Sequence, residues 1–403
     1  MRIALVSEHA NPLSAVGGVD AGGQNVHVDA LAGELVALGH TVTVFTRRDS
    51  ERPPDRVTAP SGYVVEHVPA GPPTTIPKDD LLQHMPAFAR YLEQSWAQDP
   101  MDIVHAHFWM SGVASVRAAR RVDIPVLQTF HALGTVKRRH QGAADTSPTE
   151  RIGFERRLCR QVDHVIATCS DEITELVTLG LPVSHSTVIP CGVDTSAFRP
   201  AAGGPVGRLD GDRLAYVGRL VERKGVGNVI EALESLPGAT FDIAGGPPAN
   251  QLDHDDEVQR LRRIADWHGV ADRVRFLGAI GRHQVPALMR AADIVVDVPW
   301  YEPFGIVPVE AMACGRPVVG SAVGGLLDTV IPGVTGELVP ARRPDLLASA
   351  LEQLLDDPMR RADYGRAGRA RAVKEFTWSR VAAATARVYA AVLGTRLTAE
   401  AAR

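Results

Sequence analysis

Short runs of apolar, often β-branched residues recur along the chain, and many of the stretches between them carry apolar positions at helical spacing. The runs are 3–7 (IALVS), 42–46 (VTVFT), 103–107 (IVHAH), 126–130 (VLQTF), 165–169 (VIATC), 187–190, 214–218 (LAYVG), 240–244 (TFDIA), 274–277 (VRFL), 294–298 (IVVDV), 317–320 and 336–339. They are continuous rather than alternating, as expected for strands covered on both faces. Between the first two, Val28, Leu31, Ala32, Leu35 and Leu38 predict a helix over 26–38, and Gly39 supplies a stop. Strands and helices in alternation predict an α/β fold of parallel, doubly wound sheets. A dozen strands are too many for one compact sheet of this kind. The rhythm breaks at 199–212 (RPAAGGPVGRLDGD), which reads as a linker between two Rossmann-like domains, 1–200 and 201–375. A helical tail from about 376, carrying Val381, Thr385, Val388 and Leu393, is expected to pack back on the first domain. Two such domains facing each other would enclose a cleft, with ligands beyond the carboxyl ends of the strands.

The 403 residues are 45% hydrophobic and 22% charged, ordinary values for a globular chain of this length. A net charge of −4 provides no global field toward nucleic acid or anionic lipid. Cys159, Cys169, Cys191 and Cys314 lie far apart, unlike a disulfide framework or a zinc knuckle, and fit a reduced compartment. No stretch approaches the roughly 18 apolar residues of a membrane span. The opening MRIALVS reads as a strand rather than a signal peptide, so a soluble cytoplasmic protein is expected.

Four segments carry candidate chemistry. The loop from Gly17 to Asn25 follows the first strand and opens a helix, so Gly22 and Gly23 suit close backbone approach to a phosphate or sugar. Its spacing is neither GxGxxG nor the Walker lysine motif. GRLVERKG, 218–225, follows the first strand of the second domain. It places Arg219 and Lys224 at that strand's carboxyl end, either as two cations for a diphosphate or as a solvated basic turn. YEPFGIVPVEA, 301–311, puts Glu302 in a loop and Glu310 on a short helix with Pro308 in its first turn and Gly315 after its end. The amides of Gly305 to Val307 would point at an anion, and Glu310, an acceptor-only group, suits a ribose diol unless it pairs locally. Finally, His131 ends strand 126–130, while His105, His107, Phe108 and Trp109 end strand 103–107. His105 and His107 are expected on opposite faces of their strand and are taken as structural. The run from Lys137 to His140 reads as a solvated face. Neither a metal-binding histidine motif nor a GxSxG hydrolase elbow is present.

In this order and spacing the segments resemble glycosyltransferase family 4, the retaining GT-B glycosyltransferases, over nearly the whole chain. The most specific mark is Glu302 and Glu310 in the EX7E pattern, within EPFGIVPVEAMACGRPVV. GRLVERKG matches the family's arginine–lysine pair. DAGGQN matches the glycine loop of the inositol-phosphate and sucrose-phosphate group. The resemblance implies transfer of a hexosyl-type sugar from a nucleotide diphosphate sugar, UDP favoured over GDP, with retention and without a metal. Arg219 and Lys224 would then neutralise the diphosphate. Glu302 would contact the sugar near the amides of Gly305, Ile306 and Val307, and His131 would reach it near the anomeric centre. Glu310 would hold the ribose, Arg282 would lie beside the base, and Gly22 and Gly23 would approach a phosphate. Asp20, Gln24, Asn25, Lys78 and Phe108 would line the acceptor site. Phe108 stands where the inositol-phosphate enzymes carry a tyrosine, Ala132 where they carry a threonine, and their arginine matches either Arg151 or Arg156. Losing two hydroxyl donors at about 1–3 kcal/mol each predicts another small acceptor: a polyol, sugar phosphate, aminocyclitol or secondary metabolite. A GT-B phosphorylase, a sugar-nucleotide epimerase and a non-catalytic nucleotide-sugar binder are the alternatives, and the family admits a homodimer.

Overall fold

The computed structural model describes residues 1–14, 22–201 and 211–401. Asp20, the glycines at 17 and 18, and most of the expected linker lie outside the described residues. The chain divides into two compact units. Unit 1 is Met1–Cys191 with Trp378–Arg403, and unit 2 is Gly192–Thr377.

Unit 1 contains β1 (Arg2–Val6), β2 (Thr41–Arg47), β3 (Arg56–Thr58), β4 (Val64–Val68), β5 (Ile103–His107), β6 (Val126–Thr129), β7 (His164–Ala167) and β8 (Ser186–Val188). Their order in the sheet is β3-β4-β2-β1-β5-β6-β7-β8. Pairing is parallel except between β3 and β4. Covered faces explain the continuous apolar runs: Ile3, Leu5 and Phe45 are fully buried, and Phe45 meets Trp96 edge to face at 6.0 Å. β3 and β4 have no counterpart among the apolar runs. β3 is only three residues long, and β4 carries buried Glu66 and His67, whose polar atoms find Ser95 and the Pro54 carbonyl. The helix Gly23–Ala37 begins ahead of the apolar spacing because Gly22 and Asn25 cap it, the Gly22 amide donating to Asn25 Oδ1 at 3.1 Å. The C-terminal helix Trp378–Ala401 packs against Gly23–Ala37.

The expected opposition of His105 and His107 is corrected. Residues two apart on a strand share a face, and the two rings lie 4.2 Å apart, centroid to centroid.

Unit 2 contains β9 (Asp212–Val217), β10 (Ala239–Ala244), β11 (Val274–Gly278), β12 (Ile294–Asp297), β13 (Val318–Ser321) and β14 (Gly336–Val339), ordered β11-β10-β9-β12-β13-β14 and all parallel. Leu214, Phe241, Ile243, Val296 and Val319 belong to its buried core. Each contributes roughly 1.5–3 kcal/mol by leaving water. In both units the strand order reverses direction beside the first strand, between β1 and β5 and between β9 and β12. At such a switch point the connections diverge to opposite faces and leave a crevice beyond the carboxyl ends.

Candidate active site

The crevice of unit 2 gathers charge. Arg219 and Lys224 follow β9; Glu302 follows β12. Lys224 Nζ hydrogen-bonds Glu302 across 78 residues of sequence. The Trp300 amide donates to the Arg223 carbonyl at 2.8 Å and ties the two loops together. The Tyr216 hydroxyl donates to the Arg219 carbonyl at 2.9 Å. Gly225, at φ 72°, allows this approach, because a Cβ there would sit 2.1 Å from the Val298 carbonyl oxygen. Burial would push the Glu302 carboxyl up, but Lys224, Arg223 and Arg219 outweigh it and hold the group ionised below its usual range. Asp297, which ends β12, is pushed up to about 6 by burial, against the pull of Lys224. Burial and the neighbouring Arg219 lower the Arg223 guanidinium from its ordinary value.

Next to this cluster the helix Ile306–Ala313 starts at Gly305, at φ 82°, and carries Glu310 on its buried side. One Glu310 oxygen is bonded by Arg282, whose guanidinium also lies 4.7 Å over the Phe198 ring. The other, Oε2, is buried without a hydrogen-bond partner. Burial raises the Glu310 carboxyl despite Arg282. The local-pairing expectation is therefore half met, and one acceptor oxygen remains for a ligand donor. The carbonyl of Glu302 accepts from the Gly325 amide at 2.9 Å, and a Cβ on Gly324 would stand 2.1 Å from that same carbonyl oxygen. Sequence reasoning missed Arg223, Asp297 and this glycine pair. The signals were present: a third cation inside GRLVERKG, an acid closing an apolar strand, and a Gly-Gly doublet after β13.

Unit 1 gathers a separate polar cluster at its own switch point. Phe108 and His131 follow β5 and β6, and both have left-handed backbones, φ 79° and 59°. Such conformations cost of order 1–3 kcal/mol each and concentrate at functional sites. His131 Nε2 lies 2.9 Å from His107 Nδ1. Desolvation holds both imidazoles neutral, well below the ordinary histidine range. Gln24 donates to Ser7 Oγ and to the His107 carbonyl, at 3.1 and 3.3 Å. Asn25 has both ends of its amide engaged, donating to the Asn11 carbonyl at 2.8 Å and accepting from Gly22, so it acts as a cap. Lys78 opens a 3-10 turn, Lys78–His84. The Phe108 ring packs against His9 at 4.8 Å and under the Arg151 guanidinium at 5.1 Å. Arg151 is buried and bonded to Glu155, Ser147 and the Ala132 carbonyl, whereas Arg156 is exposed. The Lys137–His140 run is not simply a solvated face: Lys137 donates to Ser147 at 2.8 Å and lies 3.1 Å from Asp145. Among the described residues, no His, Cys, Asp or Glu group is arranged to hold a metal ion, and no helix is long and apolar enough to cross a membrane.

Two Rossmann-like units, one with an EX7E acid pair set among cations, define a glycosyltransferase of the GT-B class. The chain belongs to glycosyltransferase family 4: the Glycosyltransferase Family 4 model matches residues 21–197 and the Glycosyl transferases group 1 model matches 207–371. It is 35% identical to a D-inositol 3-phosphate glycosyltransferase of Kineococcus radiotolerans, over 96% of this chain and 94% of that protein. It is 37% identical to D-inositol 3-phosphate glycosyltransferase 2 of Catenulispora acidiphila, over 96% of this chain and 94% of that one. Among solved structures it resembles sucrose-phosphate synthase from Thermosynechococcus elongatus, with a TM-score of 0.90 and 32% identity, covering 98% of this chain and 100% of the other. The fold is also that of Anabaena HepE, solved in complex with UDP-glucose (TM-score 0.75, 22% identity, 97% and 100% covered).

Proposed function

We propose that this glycosyltransferase moves a hexosyl unit from a nucleoside diphosphate sugar to a small hydroxylated acceptor, with retention of anomeric configuration. The observation that carries the donor half is the Lys224–Glu302 pair at the unit 2 switch point, with Arg219 and Arg223 beside it. When the bond between the anomeric carbon and phosphate breaks, the sugar gains oxocarbenium character and the diphosphate gains negative charge. Fixed cations aimed at that charge are the largest catalytic contribution available here. Lys224 and Arg219 neutralise the diphosphate, and the amides of Gly305, Ile306 and Val307 lie toward the sugar and its phosphate. Glu302 holds sugar hydroxyls. Glu310 Oε2, buried and unpartnered, accepts from a ribose hydroxyl, with Arg282 beside the base. The acceptor oxygen attacks from the face the phosphate leaves, and the departing phosphate oxygen takes its proton. This route needs no dedicated nucleophile, and the neutral His107–His131 pair is poorly suited to be a general acid. Because protein cations do the neutralising, transfer is expected to continue unchanged in EDTA. A UDP-sugar is the favoured donor.

For the acceptor, Lys78, at the head of its 3-10 turn, and Gln24, through its amide oxygen, are the polar candidates in unit 1. The curated relatives are named for inositol 3-phosphate, yet Phe108 offers an apolar ring in place of a hydroxyl, and each guanidinium nitrogen of Arg151 is bonded within the protein. We therefore assign a related polyol, sugar phosphate or aminocyclitol. The test is nucleotide release from UDP-glucose and GDP-glucose across an acceptor panel that includes inositol 3-phosphate. Acceptor-dependent UDP release supports the reading. Turnover that depends on inorganic phosphate favours a phosphorylase, and donor binding without transfer to any acceptor favours a binding protein.

A further inference from the structure

Four histidine rings converge beside the strained ends of β5 and β6. His107 lies 4.2 Å from His105, 5.2 Å from His131 and 5.5 Å from His27, centroid to centroid. We propose that His107 is a positioning residue that donates from Nδ1–H to His131 Nε2, fixing His131 as the Nδ1–H tautomer so that it meets a substrate hydroxyl as a neutral hydrogen-bond donor. The substrate role of His131 rests on the glycosyl-transfer reading; the tautomer does not.

The bonds around the cluster determine the protons. The Thr129 hydroxyl donates its only hydrogen to the Ile166 carbonyl at 2.8 Å. It must therefore accept from His105 Nε2, 2.9 Å away. Neutral His105 then has a lone pair on Nδ1, which accepts from the Tyr389 hydroxyl at 2.7 Å. His105 is locked as the Nε2–H tautomer from both sides. His107 differs, because its Nε2 is buried without a partner. If Nε2 carried the proton, a buried N–H would be orphaned, and such donors are rarer than under-used acceptors. With the proton on Nδ1, the donor is satisfied by His131 at 2.9 Å, and only a lone pair is left unmet. His131 must then hold its own proton on Nδ1, the nitrogen the ring-to-ring bond leaves over. Its backbone, at φ 59°, lies just past the end of β6, and the bond to His107 holds the ring.

Long-range 1H–15N correlation of the 15N-histidine-labelled full chain at pH 7.5 tests this. The expected spectrum has His131 protonated on Nδ1 and His105 on Nε2. His131 protonated on Nε2 would overturn the proposal. Two variants add a kinetic readout. His107→Asn keeps an N–H near the Nδ1 position, so it should preserve the His131 tautomer and kcat/KM within about threefold. His107→Leu removes the donor, shifts His131 toward Nε2–H and lowers kcat/KM about tenfold, the scale of one lost hydrogen bond. A His107→Leu protein with the shifted tautomer but wild-type kcat/KM contradicts the positioning role. If neither variant folds, the wild-type spectrum still decides. A chain with the expected tautomers that releases no nucleotide from any donor sinks the transfer reading and leaves the histidine assignment standing.

Discussion

Lys224 is the side chain at which folding and the proposed chemistry meet. Its ammonium holds Glu302 ionised in a half-buried site where the carboxyl would otherwise rise. Replacing it by alanine removes the charge proposed to face the diphosphate and also takes away the Glu302 ion-pair partner. Loss of one fixed electrostatic contact in a preorganised site is worth about 10²–10³ in turnover. Breaking a fully buried ion pair costs about 3–5 kcal/mol, and this pair, with both side chains still touching solvent, should cost less. Lys224→Ala is therefore expected to fold, as circular dichroism would show, and to turn over at least about a hundredfold more slowly. Wild-type turnover in that variant would remove the diphosphate assignment. At this scale the placement of Glu302, Glu310, Arg219 and Lys224 after β9 and β12 was readable from the spacing. A role was unreadable where it depends on which atoms are left unpaired. The unpartnered Glu310 Oε2, the buried His107 Nε2 and the bonds that hold Asn25 and Arg151 exist only once distant segments meet.

Elements put these residues in place, and glycine geometry sets the tolerance. Gly225 and Gly269 both have left-handed backbones, φ 72° and 64°, in unit 2. A Cβ on Gly269 meets nothing within 4 Å, whereas one on Gly225 collides with the Val298 carbonyl. Gly269→Ala should cost only the backbone strain, roughly 1–2 kcal/mol, and leave nucleotide affinity unchanged. Gly225→Ala should cost more by urea unfolding and weaken nucleotide binding at least about tenfold by moving the Lys224 loop off the end of β12. Equal effects of the two substitutions would mean that the close approach does not matter. The parallel strands were legible because burial on both faces writes an unbroken apolar run. β4 was not, since Glu66 and His67 are buried with hydrogen-bond partners, the Ser95 hydroxyl and the Pro54 carbonyl, that no local pattern reveals. The His105–His107 relation was recoverable from strand periodicity alone and was misassigned.

At the scale of the whole molecule, the neutral histidines of unit 1 make one contribution to the pH response. Burial lowers His27 to about 4 and His105 to about 3. Both lie below the unfolded value of about 6.5, so the unfolded chain takes up protons that the native state refuses. Their contribution is present above pH 6.5 and is lost as pH falls from there toward 4 for His27 and toward 3 for His105, by an amount on the order of a few kcal/mol each. Asp297 at about 6 and Glu172 at about 7 gain stability over the same range, so the test is a difference: from pH 7.5 to pH 4.5 the urea midpoint of the wild type should lose more than that of His105→Gln, which retains a donor toward Thr129. Equal losses in the two proteins would mean that His105 is not buried neutral. The central claim concerns unit 2, where cations and an acid pair at the switch point hold a nucleoside diphosphate. Titration calorimetry of UDP into the wild-type chain and into Lys224→Ala tests it most directly, in buffer containing EDTA. Saturable one-to-one binding that weakens at least about tenfold in the variant is the predicted result. Absence of binding by UDP and GDP alike, or equal affinity in the two proteins, would contradict it.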